Sequence, residues 1–450
     1  MALKPGTLLQ QLSPEIAGAV FTHPANRANI ASIVELVTWL RSCNTPDEYN
    51  EFQRILFQRL YQAEEARAQR SRIVKRLRSG RSLPPDHPAP PGGVDPLLLE
   101  NWLLETFVYE RLVRQLRVVG DGLAWRSFGF DRRIIHALSR NTSPGMMYGK
   151  AGLGYELGRI ADLWAEHRHF ALLHDLTNCL RIADLTEFAD DGTWLREIKK
   201  APRSRREQRQ RAQAAVDAIM NGGPLPGSGT TARLVEVDEA YVTDIDQLRD
   251  LIQLANDRGC ASRHLTSGRA VIVTSVLAAS HRWPKDSDEG LRVIASLRQQ
   301  AIEAAGIAGD SHHVIGTSGD TASRISVTAP WSIYPLTPAD CAGLICDSLV
   351  FETVISVQVL QSALANVGFY SEVVLPPTGG DLNSSHDVLR LRWNDRIMTV
   401  HQPSLNQLLY ELVQPDTWAR GIRKVIGMPS PPPEPVLVFA GESDVWRLAS

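Results

Sequence analysis

The segment Ile182–Lys200, with the sequence IADLTEFADDGTWLREIKK, decides how the chain is interpreted. The runs Leu180–Phe188 and Trp194–Lys199 are rich in apolar and β-branched residues, and residues 189–192 (ADDG) between them are typical of a tight turn. The pattern predicts two antiparallel strands joined as a hairpin. Everything else that we infer about chemistry follows from the side chains that this hairpin carries.

The length of the turn decides where Asp184 lies. Glu197 and Lys199 are two residues apart on the second strand and therefore share a face. A loop of residues 191–192 alone would place Asp184 opposite Lys199, whereas a loop of residues 189–192 would place it opposite Glu197. Either loop has an even length, so in both cases Asp184 joins the face of Glu197 and Lys199.

Two carboxylates that share a small patch repel each other unless a cation compensates them. A hard divalent ion such as Mg²⁺ binds one or two carboxylates and keeps several waters. Such a site suits phosphodiester hydrolysis, because a metal-bound water can attack while the metal neutralises charge on the phosphate. A nearby ammonium can stabilise the developing negative charge.

An Asp in one strand, Glu-x-Lys in the next and a Gln-bearing helix after them resemble the PD-(D/E)XK nuclease superfamily, whose core is restriction-endonuclease-like. The resemblance implies that Asp184 and Glu197 bind Mg²⁺ or Mn²⁺ and that Lys199 assists the attacking water. A Glu on the preceding helix often completes the metal site in this family, and Glu156 is the matching position. The residue before Asp184 is Ala183, where the family's motif has Pro.

A Gln on the helix after the hairpin is a further feature of family members similar to the RecB nucleases. Gln208, Gln210 and Gln213 are the candidates, and we select Gln210 as the catalytic one. The Tyr that follows this Gln in the RecB-like pattern is missing here.

Basic residues are concentrated from Arg196 to Arg211, where eight Lys and Arg accompany only two acids. Cations in the first turn of a helix oppose its dipole, and a phosphate backbone there would offset that cost. We expect nucleic acid to contact five of them: Lys200, Arg203, Arg205, Arg206 and Arg209. A solvated basic helix face remains the alternative, as it does for a second basic run at 67–81.

Four regions follow one another along the chain. Residues 1–145 have helical periodicity, beginning with a helix capped by Thr45 and Pro46. Residues 148–280 follow a helix–strand–strand–strand–helix–strand order, which predicts an α/β core. Residues 286–427 suggest a C-terminal α+β domain of unknown role, and 428–450 a proline-rich tail. The expected fold class is thus α/β, with a helical N-terminal domain, a restriction-endonuclease-like core and a C-terminal α+β domain.

Composition sets limits on the class of protein. The 450 residues are 43% hydrophobic and 22% charged with a net charge of −2, which is typical of a globular protein without a general basic field. The five cysteines are scattered and odd in number, which favours a reducing compartment. With no signal-peptide pattern and no membrane span in the sequence, we expect a cytoplasmic protein.

The function expected from these features is Mg²⁺-dependent hydrolysis of phosphodiester bonds, with DNA as the nucleic-acid partner. The resemblance implies a place in bacterial antiviral defence or repair. The alternative is a non-catalytic nucleic-acid-binding or scaffold protein on a decayed nuclease core. The sequence does not decide whether the substrate is DNA or RNA, or whether cleavage is internal or from an end. It also does not decide whether the protein is a monomer or a homo-oligomer.

Overall fold

The computed structural model describes ten stretches of the chain: residues 19–80, 96–139, 144–198, 205–226, 231–266, 268–283, 288–307, 312–318, 328–374 and 387–447. The fold is mixed α/β, with a helical N-terminal region and several small sheets. It divides into two compact units. Unit 1 comprises Met1–Ala124 and Asn141–Arg209, and unit 2 comprises Trp125–Arg140 and Gln210–Ser450.

The helices, in chain order, are α1 (Pro24–Ser42), α2 (Pro46–Arg78), α3 (Pro96–Ser127), α4 (Arg132–Leu138), α5 (Leu153–His167), α6 (Arg205–Asn221), α7 (Ile245–Arg258), α8 (Val276–Arg282), α9 (Glu289–Ala304), α10 (Pro338–Ile345), α11 (Val357–Asn366), α12 (Asn406–Leu409), α13 (Pro415–Ile426) and α14 (Glu442–Arg447). Within the described residues, no helix is long and apolar enough to cross a membrane.

The strands, in chain order, are β1 (Phe170–Leu173), β2 (Leu185–Ala189), β3 (Gly192–Arg196), β4 (Ala232–Ala240), β5 (Cys260–Thr266), β6 (Arg269–Ser275), β7 (His313–Thr317), β8 (Leu349–Ser356), β9 (Tyr370–Val373), β10 (Asp387–Trp393), β11 (Arg396–His401) and β12 (Glu434–Ala440). They form four sheets, with the strand orders β1-β2-β3, β4-β12, β5-β6-β8-β7 and β9-β10-β11.

The helical part of unit 1 begins as its sequence predicts. The Thr45 hydroxyl accepts a hydrogen bond from the Glu48 N–H at 3.3 Å, and the Glu48 carboxylate accepts one from the Thr45 N–H at 2.9 Å. This reciprocal pair satisfies two amides that the first turn of α2 would otherwise leave unpaired. The turn also lets α1 and α2 pack together, with Trp39 edge-on to Phe52.

The small sheet of unit 1 contains the predicted hairpin. Strands β2 and β3 are antiparallel, and the pair Ala189↔Gly192 closes a two-residue turn. This register matches the longer of the two predicted loops, because Phe188 pairs with Thr193. Strand β1 pairs with β2 on its other side.

The outer edge of β1 is covered by the side chain of Gln53 from helix α2. Its Nε2 donates to the Ala171 carbonyl at 2.8 Å, and its Oε1 accepts from the Leu173 N–H at 2.9 Å. The amide thus bonds to this edge as a further strand would. The edge of the sheet is fixed to the helical layer by a fully buried pair of hydrogen bonds.

Two predicted boundaries differ from the structure. The strand predicted at Leu180–Phe188 begins only at Leu185, because Ala183 has a φ of 70° and bends the chain away from extended geometry. The strand predicted at Trp194–Lys199 ends at Arg196, where regular pairing with β2 ends.

Unit 2 is built around an antiparallel four-stranded sheet. Strand β6 lies between β5 and β8, and six of its seven residues are buried. Helices α7 and α9 pack against it. In a separate sheet, β4 pairs in parallel with β12, so the predicted proline-rich tail supplies a strand. The region 148–280 therefore contributes to both units.

A charged cluster lies inside unit 2. The Arg132 guanidinium donates to both carboxylate oxygens of Glu411, at 3.0 and 2.7 Å, and is also paired with Glu442. Glu411 accepts further hydrogen bonds from the Tyr241 hydroxyl and the Ala329 N–H. All three charged residues are at most 3% exposed. Such a cluster is stable only while every member keeps its partners.

We expect Glu411→Ala to destabilise unit 2 by about 3–5 kcal/mol, because it leaves the Arg132 charge buried beside unsatisfied donors. Urea unfolding followed by tryptophan fluorescence measures the change. The control is Asp250→Ala, since Asp250 is 62% exposed and lies 3.8 Å from Arg263. It should cost less than about 1 kcal/mol. Equal stability of the two variants would contradict the structural role of the cluster.

Candidate active site

Helix α5 carries the first residue of the site, Glu156. Glu156 lies in the first turn of α5, but its side chain points inwards and is only 2% exposed. A buried carboxylate needs a charged partner or a proton. Glu156 obtains the partner from Lys150, whose ammonium lies 2.7 Å from the Glu156 carboxylate.

Lys150 also contacts a second acid. Its Nζ lies 2.6 Å from Oδ2 of Asp175, which stands in the one-turn 3-10 helix directly after β1. Burial alone would lower the pKa of Lys150, but the hydrogen bonds and charges of Asp175 and Glu156 outweigh it and raise that pKa. The ammonium therefore stays charged and joins α5 to the end of β1.

The 3-10 turn that carries Asp175 is held in place by helix α3. A Cβ at Gly120 would come within 2.0 Å of the Leu176 carbonyl oxygen, so only glycine permits this approach. On the same helix, buried Asp121 accepts hydrogen bonds from the backbone N–H groups of Asn178 and Cys179 at 2.6 and 2.9 Å. These contacts fix the loop that leads from Asp175 to Asp184.

Asp184 lies at the end of that loop, immediately before β2. Its N–H donates to the Arg196 carbonyl at 3.0 Å, and its Oδ2 accepts from the Ile198 N–H at 2.8 Å. The paired register of β2 and β3 ends at Leu185 and Arg196, so it does not extend to Asp184 and Glu197. The Asp184 carboxylate is thus anchored on the chain that carries Glu197.

Three carboxylates influence one another at this place. Burial raises the pKa of Glu156; the Lys150 ammonium opposes that shift, and the negative charges of Asp184 and Asp175 add to it. Glu156 and Asp175 also share the Lys150 ammonium. We call Lys150, Glu156, Asp175 and Asp184 the acidic cluster.

Glu197 is half-buried and follows β3 by one residue. Lys199, Lys200 and Arg203 lie outside the described residues, and so does the side chain of Arg205 at the start of α6. The contribution that we expect from Lys199 therefore stays a prediction.

The remaining predicted residues lie on helix α6. Arg206, Arg209 and Gln210 are exposed. Gln208 is half-buried, and its Oε1 has no hydrogen-bond partner among the described residues. Of these two glutamines, Gln208 is the more enclosed, although Gln210 is the one that the sequence led us to select.

Two members of the acidic cluster do not appear among the predicted site residues. Gly149-Lys150 lacks the spacing of a phosphate-binding loop, so no motif marks Lys150 in the sequence. Asp175 lies in a turn with no motif of its own. A usable signal was available, because Lys150 precedes Glu156 by six residues and Asp175 follows directly on the buried strand β1.

The donor atoms of the acidic cluster suit a hard divalent cation, because carboxylate oxygens are the ligands that Mg²⁺ and Mn²⁺ prefer. Within the described part of the chain, no three Asp, Glu, His or Cys side chains approach closely enough to hold a metal ion. The Lys150 ammonium lies between two of the carboxylates instead. The cluster therefore has ligand atoms that suit a cation, and in this structure the Lys150 ammonium contacts two of its carboxylates.

Replacing Lys150 by Met should destabilise unit 1 by about 1–3 kcal/mol, less than for a fully buried pair because the ammonium is 30% exposed. Without the ammonium, the pKa of Glu156 should rise further in the folded state. A carboxyl with a raised folded-state pKa loses stability as pH increases through that pKa. The destabilisation should therefore be larger at pH 8 than at pH 5.

Unfolding followed by circular dichroism at the two pH values measures this effect. Lys75→Met is the matched control, since it removes the same charge from an exposed position on α2. Its effect should be small and independent of pH. A Lys150→Met variant with the same pH dependence as the control would show that Lys150 does not compensate Glu156.

No family model, curated protein or solved structure matches this chain. The resemblance of residues 182–200 to the PD-(D/E)XK nucleases therefore depends on the residues themselves. The acidic cluster and the hairpin beside it are the observations from which a function is argued.

Proposed function

We propose that unit 1 is a divalent-metal-dependent nuclease that hydrolyses phosphodiester bonds, with DNA as its substrate. One observation carries the proposal: the buried Glu156 carboxylate shares the Lys150 ammonium with Asp175, and the negative charge of Asp184 also raises the pKa of Glu156. Natural proteins seldom bury several like charges together unless a cation compensates them.

In this proposal Glu156, Asp184 and Glu197 hold the metal, and Asp175 is a fourth acid of the same site. A bound Mg²⁺ or Mn²⁺ would supply an activated water and neutralise charge on the scissile phosphate. The hydrogen bond from the Ile198 N–H fixes the Asp184 carboxylate to the chain that carries Glu197, so binding a metal would require the other carboxylates to move towards it. The Lys150 ammonium compensates the charges of Glu156 and Asp175.

The proposed substrate class follows from the exposed charges of helix α6, which comes after the hairpin in the chain. Helix α6 presents Arg206 and Arg209 to solvent, and its first turn begins at Arg205. Exposed cations near a helix N-terminus favour a phosphate backbone as partner. We assign Lys200, Arg203 and Arg205 to the same surface, and Lys199 to the attacking water.

Cleavage should depend on the carboxylates and on Lys199 in different ways. Asp184→Asn, Glu156→Gln and Glu197→Gln should each lower hydrolysis of labelled DNA in Mg²⁺ by more than about 100-fold, because each removes one metal-binding charge. Lys199→Ala should also abolish turnover but leave Mn²⁺ affinity unchanged in calorimetry. Asp190→Asn makes the same carboxyl-to-amide change at the exposed turn of the hairpin and should leave the rate unaltered.

The expected activity should vanish in EDTA. Parental rates in all four site variants would assign hydrolysis to another part of the chain or to a contaminant. Metal binding without any cleavage of DNA or RNA would favour the decayed, non-catalytic core.

The basic surface of α6 should contribute to affinity without contributing to stability. Replacing Arg203, Arg205 and Arg206 by Ala should weaken nucleic-acid binding and reduce the slope of log K against log salt by about 2–3, because fewer counterions are released. The unfolding free energy should change by less than about 0.5 kcal/mol. An unaltered salt slope, measured by fluorescence anisotropy in EDTA, would assign the run to solvation alone.

A further inference from the structure

The sheet β9-β10-β11 of unit 2 has one buried face and one solvated face. Along β10, Leu389 and Leu391 are fully buried, whereas Arg390 and Arg392 between and beyond them are exposed. This alternation is typical of an antiparallel sheet that packs on a core with one side only. The other face is therefore exposed, and its side chains are available to contact a partner.

Two large hydrophobic side chains are exposed on that surface, in one line of residues that crosses the three strands. In register across the three strands stand Tyr370, Arg392 and Ile397. Tyr370 is 67% exposed and Ile397 is 63% exposed. A tyrosine ring beside an arginine on an open sheet gives a flat platform with a positive neighbour.

The next row is Glu372, Arg390 and Thr399. Arg390 and Arg392 lie two residues apart on one strand, about 7 Å by strand geometry. Neither guanidinium makes an ion pair or hydrogen bond with the residues that the structure describes, even though Glu372 stands directly opposite Arg390. Two arginines, one glutamate and no pairing leave a face that attracts anions.

We propose that this face, defined by Tyr370, Arg390, Arg392 and Ile397, binds single-stranded nucleic acid. An unstacked base lies on the Tyr370 ring, and the phosphates on either side of it contact the two guanidinium groups. Base stacking on aromatic rings next to basic side chains is the general mode of single-strand binding. In a duplex the bases are already stacked on each other and offer no free face to Tyr370.

The test uses the full chain in EDTA, so it does not depend on whether unit 1 hydrolyses anything. Fluorescence anisotropy with a labelled oligothymidine, and with a duplex of the same length, gives the two affinities. The single strand should bind more tightly. Tyr370→Ala should weaken its binding about 5- to 150-fold, as expected for loss of one stacked base, and Tyr370→Phe should keep it.

Arg390→Ala together with Arg392→Ala should lower the salt slope by about 1.4, the value for two single-strand phosphate contacts. The matched control is Arg258→Ala with Arg292→Ala, which removes two exposed arginines elsewhere in unit 2. It should leave the slope unchanged.

Photocrosslinking with a bromouracil-substituted strand then locates the contact. The peptide that contains Tyr370 should carry the crosslink. Crosslinks confined to helix α6, equal affinity of Tyr370→Ala and the parent, or no binding at all would each overturn the proposal. Self-association that Tyr370→Ala abolishes, without oligonucleotide binding, would overturn it in favour of a second copy of the chain.

Discussion

The ammonium of Lys150 is the interaction on which the site depends. It lies within 2.7 Å of Glu156 and 2.6 Å of Asp175, and so joins helix α5 to the turn after β1. The 3-10 turn that contains Asp175 is also the start of the loop that ends at Asp184. If the ammonium were absent, the carboxylates would repel the elements that carry them, since their charges act on a common buried region. The Lys150 side chain therefore both stabilises unit 1 and lies in the candidate active site.

Much of the local structure could be predicted from the sequence. The turn residues 189–192 and the strands on either side of them gave the correct hairpin, because turn chemistry and alternation act over a few residues. Thr45 and Glu48 likewise gave the start of α2.

The remainder depended on contacts that no local pattern encodes. Lys150 has no motif, and its position becomes meaningful only when α5 and the turn after β1 approach each other. The left-handed backbone of Ala183 shortened the predicted strand, although nothing in its side chain indicates this conformation. Strand β12 was missed because it pairs in parallel with β4, which lies about 200 residues earlier in the chain.

The pairing of β4 with β12 also has a consequence for synthesis on the ribosome. At about 5–20 residues per second, β4 waits roughly 10–40 s for its partner to emerge. Arg132 waits longer, since Glu411 follows it by 279 residues. The nascent chain thus carries the unpaired strand β4 for roughly 10–40 s, while every residue of unit 1 has already been made. Unit 2 is accordingly the part of this protein that would need protection by a chaperone during translation.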